Sequence, residues 1–239
     1  MNPPPQSSGF QIRPAILAAL LLAISLTANA SPPPGAWSDK ITDPAALDKA
    51  WHEVPPALRT AVEFQKLLLK IRGGAPVAEW KPQMEKFASA PGDDGVIVAL
   101  RDVAKIWLAR AAMEQIDAAL RKFYRKQVRF PDTLAEVQRD IPAEAQRDPW
   151  GEAWTFAPAA PKGFAIAKQR YQLGPARLPR LSTLEDAVKS KPAAFAWKIT
   201  PRDKALELRG ADGKAAILQP GGRAGEIALV FIGDGWALL

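Results

Sequence analysis

The longest periodic pattern of apolar residues in this chain lies between residues 96 and 123. An apolar side chain recurs there every three or four positions, which places one apolar stripe along the side of a helix. No glycine or proline interrupts residues 96–129, and Asp93 and Asp94 before the segment have the charge that a helix dipole favours at its N-terminus. The pattern predicts one long helix from about Val96 to Gln127. Its stripe consists of Val96, Ala99, Val103, Ile106, Ala109, Met113, Ile116, Leu120 and Phe123.

Shorter helical patterns precede the long helix, and prolines and glycines separate them. Asp43-Pro44 is typical of a helix start, with aspartate as the N-cap and proline at the first helical position. A helix from there through Trp51 is expected, followed by one over Ala57 to Ile71 that Gly73-Gly74 ends. A third is expected over Val77 to Ala88. The segment 43–92 is therefore predicted to contain three short helices.

After Phe130-Pro131 the pattern changes to short apolar runs that are typical of β-strands. Asp212-Gly213 and Asp234-Gly235 are hairpin signals between such runs. Because helical patterns come first and strand patterns follow, the expected fold class is α+β, with an N-terminal helical segment and one long helix packed on an antiparallel β meander. The predicted strands are Trp154–Phe156, Phe164–Gln172, Phe195–Thr200, Ala205–Arg209, Ala215–Leu218, Ile227–Ile232 and Trp236–Leu239.

Two short helical elements are predicted among the strands. Thr133 to Val137 has the length of one helical turn. Leu184 to Lys189 is preceded by a capping box in sequence, in which Ser182 is the expected N-cap and Glu185 the residue at the third helical position. These elements have no predicted chemical role.

The first 30 residues have the layout of a secretory signal peptide. Arg13 lies in a polar start, Ala15 to Leu26 is a short apolar run, and Ala28-Asn29-Ala30 is a small-residue cleavage site. The expected organisation is thus a signal peptide over 1–30, a proline-rich spacer over 31–42, the helical segment 43–92 and an α+β domain over 93–239. A cleavable leader predicts a periplasmic or secreted protein.

Composition excludes several kinds of site. The chain has no cysteine and a single histidine, His52, so it has no disulfide, thiolate metal site or cysteine nucleophile, and it lacks the residues of a conventional triad. His52 is followed by Glu53, but adjacent residues on a helix do not face each other. The sequence therefore predicts a non-catalytic protein, with no catalytic residue, no metal site and no cofactor.

The formal net charge is +7, and residues 151–239 hold 13 basic against 8 acidic side chains. Export makes nucleic acid an unsuitable partner, whereas lipid headgroups and envelope polymers are anions available outside the cytoplasm. The basic residues at the end of the long helix are the candidates for contact with an anionic surface. A solvated helix end, placed there by the dipole, is the alternative interpretation. The candidates are Arg121, Lys122, Arg125, Lys126 and Arg129.

One stretch, residues 109–156, carries an ordered set of features. A helix rich in Ala, Met and Leu leads to Phe130-Pro131, and a later Asp148-Pro149-Trp150-Gly151 turn precedes an aromatic strand. In order and spacing this stretch resembles the globular domain of the major pseudopilin of type II secretion systems, which is related to type IV pilins. The resemblance implies a structural role for Phe130, Pro131, Asp148, Pro149, Trp150 and Gly151. It also implies protein–protein contacts with envelope or secretion proteins.

The rest of the chain departs from that family. Gly9-Phe10 matches the end of a pilin leader, but Pro14 occupies the position of the family's glutamate, and Ser31 to Gly35 would break its apolar helix. The family also has a late acidic loop that binds calcium. Here Asp212 is followed by residues 218–225, which supply no carboxylate where several are expected. We therefore expect a pseudopilin-like module that neither polymerises as a pilin nor binds calcium.

Overall fold

A computed structural model describes residues 44–158, 171–190 and 198–238, apart from 203, 211, 226, 234 and 235. The predicted signal peptide and spacer lie outside the described residues, as do most of the predicted strand Phe164–Gln172 and the start of Phe195–Thr200. The chain divides into two compact units. One comprises Met1–Lys66 with Pro192–Leu239, and the other comprises Leu67–Lys191.

The predicted helices are confirmed. They are α1 (Pro44–Glu53), α2 (Pro56–Arg72), α3 (Val77–Ala88) and α4 (Gly95–Gln127). Proline at the first position of α1 and α2 suits a helix start, because the missing N–H has no partner inside the helix. In the described parts of the chain, none of the helices is both long and apolar enough to cross a membrane.

In the first unit, contacts between their side chains hold α1 against the start of α2. The Trp51 indole N–H donates to a carboxylate oxygen of Glu63 at 3.1 Å, and the Arg59 guanidinium lies 4.5 Å from the centre of the Trp51 ring. Lys66 forms an ion pair with Asp48. Each contact joins a residue of α1 to one of α2, so the two helices form an antiparallel hairpin around Trp51.

Helix α4 is the main element of the second unit. Asp94 caps it by accepting a hydrogen bond from the Val96 N–H at 2.9 Å, and it ends at Val128 in the left-handed conformation, with φ +56° and ψ +19°. Helix α3 packs along α4 and buries Trp80 and Met84. The predicted stripe is buried from Val103 to Leu120, whereas Val96 and Ala99 are half-buried.

The C-terminal part of α4 is covered by short elements. Two 3₁₀ segments, Leu134–Asp140 and Ala143–Ala145, follow it, and then β1 (Thr155–Pro158) pairs antiparallel with β2 (Tyr171–Gly174). Helix α5 (Leu184–Lys189) ends the unit, as predicted. One hydrophobic core joins α4, the two 3₁₀ segments and the β1–β2 hairpin. Its buried members are Ala109, Met113, Ile116, Ala119, Leu120, Val137, Ile141, Ala145, Trp154 and Leu173.

The later strands belong to the first unit and have their own core. A three-stranded antiparallel sheet contains β3 (Lys198–Arg202), β4 (Ala205–Arg209) and β5 (Ala215–Leu218). The β4–β5 hairpin at Asp212-Gly213 is confirmed, with Gly213 at φ +79°. Two small ribbons follow, namely β6 (Arg223–Ala224) with β7 (Ile227–Ala228), and β8 (Phe231–Gly233) with β9 (Trp236–Leu238).

The architecture is therefore α+β with antiparallel sheets, but the described strands do not form the single meander that the sequence predicted. They form four separate antiparallel pieces, and only the β1–β2 hairpin shares a compact unit with α4. The predicted strand Ile227–Ile232 is divided, because β7 pairs with the preceding strand β6 whereas β8 pairs with the following strand β9. The sheet that α4 contacts is thus a two-stranded hairpin.

Candidate functional site

The Asp148-Pro149-Trp150-Gly151 sequence forms the predicted turn. The Gly151 N–H donates to the Asp148 C=O at 2.8 Å, and Gly151 has φ +85°, which glycine adopts without strain. The Asp148 side chain is buried, and its Oδ1 accepts hydrogen bonds from the backbone N–H groups of Trp150 and Glu152, both at 2.9 Å. Its Oδ2 accepts from the Ala176 N–H at 3.3 Å. This carboxylate therefore links the turn to the chain beyond β2.

Four aromatic rings connect the end of α4 to the β1–β2 hairpin. Phe130 stacks on Tyr124 of α4, with ring centres 4.8 Å apart, and lies 5.1 Å from Tyr171 of β2. Tyr171 in turn lies 5.8 Å from Phe156 of β1. Pro131, directly after Phe130, is buried. We call Tyr124, Phe130, Phe156 and Tyr171 the aromatic cluster.

The basic residues at the end of α4 lie among carboxylates. Arg121 pairs with Asp117, and Lys122 pairs with Asp140. Arg129 is 2.7 Å from Glu136, and this hydrogen bond is the main cause that lowers the pKa of the Glu136 carboxyl. Arg125 and Lys126 form no ion pair with any residue that the structure describes. Local carboxylates thus offset three of the five candidate cations, which weakens the field available to an anionic surface.

A cavity of about 820 Å³ lies in the second unit, between α4, β2 and the segment 179–186. Met113, Leu173 and Leu184 are buried residues of its lining, and two members of the aromatic cluster, Phe130 and Tyr171, also line it. The remaining lining is strongly charged. Its acidic residues are Glu114, Asp117, Glu185 and Asp186, and its basic residues are Arg110, Arg121 and Arg180.

Two arginines fix α5 at both ends. Arg110 donates from Nε to the Ser182 C=O at 3.3 Å, while Arg72 donates from Nη1 to the Ser190 C=O at 3.4 Å. Burial lowers the pKa of Arg110 to about 10, with a smaller contribution from the neighbouring Arg72. In the described residues neither arginine has a carboxylate partner. These guanidinium groups therefore serve as hydrogen-bond donors to the backbone around α5.

The capping box of α5 begins one residue later than the sequence predicted. Thr183, not Ser182, is the N-cap, and its hydroxyl accepts from the Asp186 N–H at 3.1 Å. Both residue types are good caps, so the sequence alone did not decide between them. Ser182 instead directs its C=O and hydroxyl towards Arg110, which places the segment 182–186 in the wall of the cavity.

The other residues considered from sequence lie apart from this cavity. The His52 ring packs edge-on against Trp51, with centres 5.0 Å apart, and Glu53 is 3.6 Å from Lys49. Asp212 lies 3.5 Å from the Lys214 ammonium and accepts a hydrogen bond from the Lys214 N–H. Among the described residues there is no group of three or more potential metal ligands.

Sequence reasoning missed the cavity, although one signal was present. Arg110, Glu114, Asp117 and Arg121 are spaced by four, three and four residues, so they form a charged stripe along one side of α4. The cavity needs a second wall as well. Segment 179–186 supplies that wall, and its approach to α4 is a tertiary contact that no local pattern encodes.

Comparison of the chain with protein-family models, with curated proteins and with solved structures finds no match. The resemblance of residues 109–156 to pseudopilins therefore stays a prediction from the sequence.

Proposed function

We propose that this chain is an exported, non-catalytic envelope protein that contains a pseudopilin-like module. It acts by binding other envelope proteins in or near a secretion or pilus-type system. Removal of residues 1–30 leaves it periplasmic or secreted. The module comprises the end of α4, the Asp148 turn and the β1–β2 hairpin.

The observation that carries the proposal is the way these elements contact one another. The aromatic cluster joins α4 to both strands of the hairpin, and Asp148 accepts hydrogen bonds from its own turn and from Ala176 beyond β2. Tyr124, Phe130, Asp148 and Phe156 belong to the stretch that resembles pseudopilins, whereas their partners Tyr171 and Ala176 lie beyond it. Since pseudopilins work by associating with other proteins, the same module favours a binding role here.

A non-catalytic role is supported by composition. The chain has no cysteine and one histidine, and His52 packs against Trp51. Nucleophilic catalysis usually needs a nucleophile, a base within hydrogen-bond reach and a group that orients the base. The charged residues of the cavity supply carboxylates and guanidinium groups, which suit recognition of a charged partner.

The test is photo-crosslinking in the native host. A photoreactive phenylalanine analogue is placed singly at Val98, Val128 and Ile217, the large apolar side chains that are exposed in the described part of the chain. The matched control is the same set of variants without residues 2–30. We expect light-dependent products that contain secretion or pilus components, and we expect the control to form none of them.

A binder of anionic envelope polymer or lipid is the alternative, and residues 151–239, with 13 basic against 8 acidic side chains, are the feature that favours it. In that case the crosslinked products would contain lipid or polymer. Salt would also release the protein from envelope fractions, because exposed charges are screened within about 8–10 Å at physiological ionic strength. Products unchanged by removal of the leader would contradict both candidates.

A further inference from the structure

The cavity beside α4 combines an apolar floor with a wall of carboxylates. Met113, Leu173 and Leu184 are buried at its floor, and the Phe130 and Tyr171 rings face it. We call Glu114, Asp117, Glu185 and Asp186 the acidic wall. A floor of this kind accepts apolar side chains, and carboxylates beside it can orient a cationic group of a ligand.

The acidic wall is only partly neutralised by this chain's own cations. Arg121 pairs with Asp117, and Lys189 pairs with Glu185. Glu114 and Asp186 form no ion pair within the described residues. Asp186 Oδ2 accepts a hydrogen bond from the Thr183 hydroxyl at 2.8 Å, so the acceptors left for a cation from outside are the Glu114 carboxylate and the other oxygen of Asp186.

Two of the three arginines in the lining are engaged with other groups of this chain. Arg110 turns towards Ser182 and lies 4.8 Å from the centre of the Trp107 ring, and Arg121 is occupied by Asp117. Arg180 is exposed. The pKa of the Glu114 carboxyl is raised, first by burial and then by Glu185 and Asp117. The charges of Glu185 and Asp117 thus act on Glu114, and none of the lining arginines forms an ion pair with it in the part of the chain that the structure describes.

We propose that this cavity binds an arginine side chain of a partner protein, with its guanidinium on the acidic wall and its apolar neighbours on the floor. Arginine fits better than lysine because a planar guanidinium both pairs with carboxylates in a bidentate manner and stacks on aromatic rings. The proposal rests on the proposed function, since it names the chemistry by which one partner is recognised.

The first test uses matched peptide probes on the purified chain. Acetyl-Leu-Arg-Leu-amide is compared with the same peptide containing citrulline, which has nearly the shape of arginine but no charge. Binding is followed by the NMR shifts of backbone amides around the cavity. We expect the arginine peptide to bind about tenfold more tightly, as for a charge-assisted hydrogen bond, and to shift amides of α4 and of segment 179–186.

The second test changes the wall. Glu114→Gln keeps size and helix propensity but removes the charge, and it should weaken the arginine peptide about tenfold while leaving the citrulline peptide unchanged. Glu85→Gln is the control, since Glu85 is an exposed glutamate on α3, away from the cavity lining. It should leave both affinities unchanged. Melting curves of both variants establish that they are folded.

The proposal is overturned if the arginine and citrulline peptides bind equally well, or if acetyl-Leu-Glu-Leu-amide binds more tightly than the arginine peptide. It is also overturned if Glu85→Gln changes binding as much as Glu114→Gln does. None of these results bears on the crosslinking experiment, which uses Val98, Val128 and Ile217, outside the cavity lining. Failure of the cavity proposal is therefore distinguishable from failure of the proposed function.

Discussion

Arg110 of α4 donates a hydrogen bond from Nε to the backbone carbonyl of Ser182, 3.3 Å away, and so ties the segment before α5 to the long helix. Arg72 makes the corresponding contact after α5, to the Ser190 carbonyl. The six-residue helix is too short to be stable by itself. Its position, and with it one wall of the cavity, therefore depends on two arginines from distant parts of the sequence.

The Asp148 turn should be sensitive to loss of its carboxylate. Asp148→Ala removes a buried carboxylate that accepts from three backbone N–H groups, those of Trp150, Glu152 and Ala176. A buried donor left unsatisfied costs about 1–3 kcal/mol, and these partly buried donors should cost less than that each. We expect a loss of about 2–4 kcal/mol in the free energy of unfolding, measured by urea denaturation. Asp148→Asn keeps one oxygen and should lose less.

Asp132→Ala is the control for that experiment, because the Asp132 side chain is 86% exposed. It should change stability by no more than about 0.5 kcal/mol. If Asp148→Ala behaves like Asp132→Ala, the turn does not depend on the carboxylate, and the structural meaning given to the motif is wrong.

Val128 ends α4 in a conformation that a β-branched residue rarely adopts. Its φ is +56° and its side chain is 78% exposed, so the valine gains little from burial and bears the strain of the left-handed region. Val128→Gly should raise stability by about 1 kcal/mol, which is a melting temperature about 2–4 °C higher. Val98→Gly, within α4, should lower stability by about the same amount. A lower melting temperature for Val128→Gly would contradict the assigned helix end.

Glu114 gives a pH-dependent prediction. Burial, Glu185 and Asp117 raise the pKa of its carboxyl above the ordinary value of 4.5. The protonated form is therefore favoured by folding, and this stability is present below pH 4.5 and is lost as pH rises through the raised pKa. Glu114→Gln removes the ionisation, so it should melt higher than the parent at pH 7.

That difference should be at most about 1 kcal/mol, or a few degrees, since the Glu114 carboxyl is only partly buried and water screens its interactions. It should shrink towards zero below pH 4.5, where the parent's carboxyl is also neutral. A variant that melts lower at pH 7, or a gap that widens as pH falls, would show that the carboxylate is stabilised in the folded chain.

Some elements of this structure could be predicted from the sequence, whereas features that depend on contacts between distant residues could not. The bounds of α3, β4, β5 and α5 follow from signals that act within a few residues. Prolines and glycines mark where these elements end, and apolar residues recur every second position in strands and every third or fourth position in helices. The division of the predicted strand over residues 227–232 does not follow from local signals, since it depends on which neighbouring strand each half pairs with. The cavity could not be predicted from local sequence either, because it depends on a contact between Arg110 and Ser182, which are 72 positions apart.

Calcium should leave the chain unaffected. Asp212 is next to Lys214, which pairs with its carboxylate at 3.5 Å and repels a divalent cation. Melting curves in millimolar calcium and in chelator should coincide. A site with micromolar affinity would add about 4 kcal/mol under those conditions, which is a shift of many degrees, and such a shift would restore the calcium loop of the pseudopilin family.

The central claim is that this chain is exported through a cleavable leader and works as a processed envelope protein that does not polymerise as a pilin. The most direct measurement is the N-terminal sequence of the protein isolated from the envelope fraction of its host. Cleavage after Ala28-Asn29-Ala30 predicts a first residue of Ser31. A first residue of Phe10 would mean processing as a pilin, and an intact Met1 would mean that the leader is not removed; either result would contradict the claim.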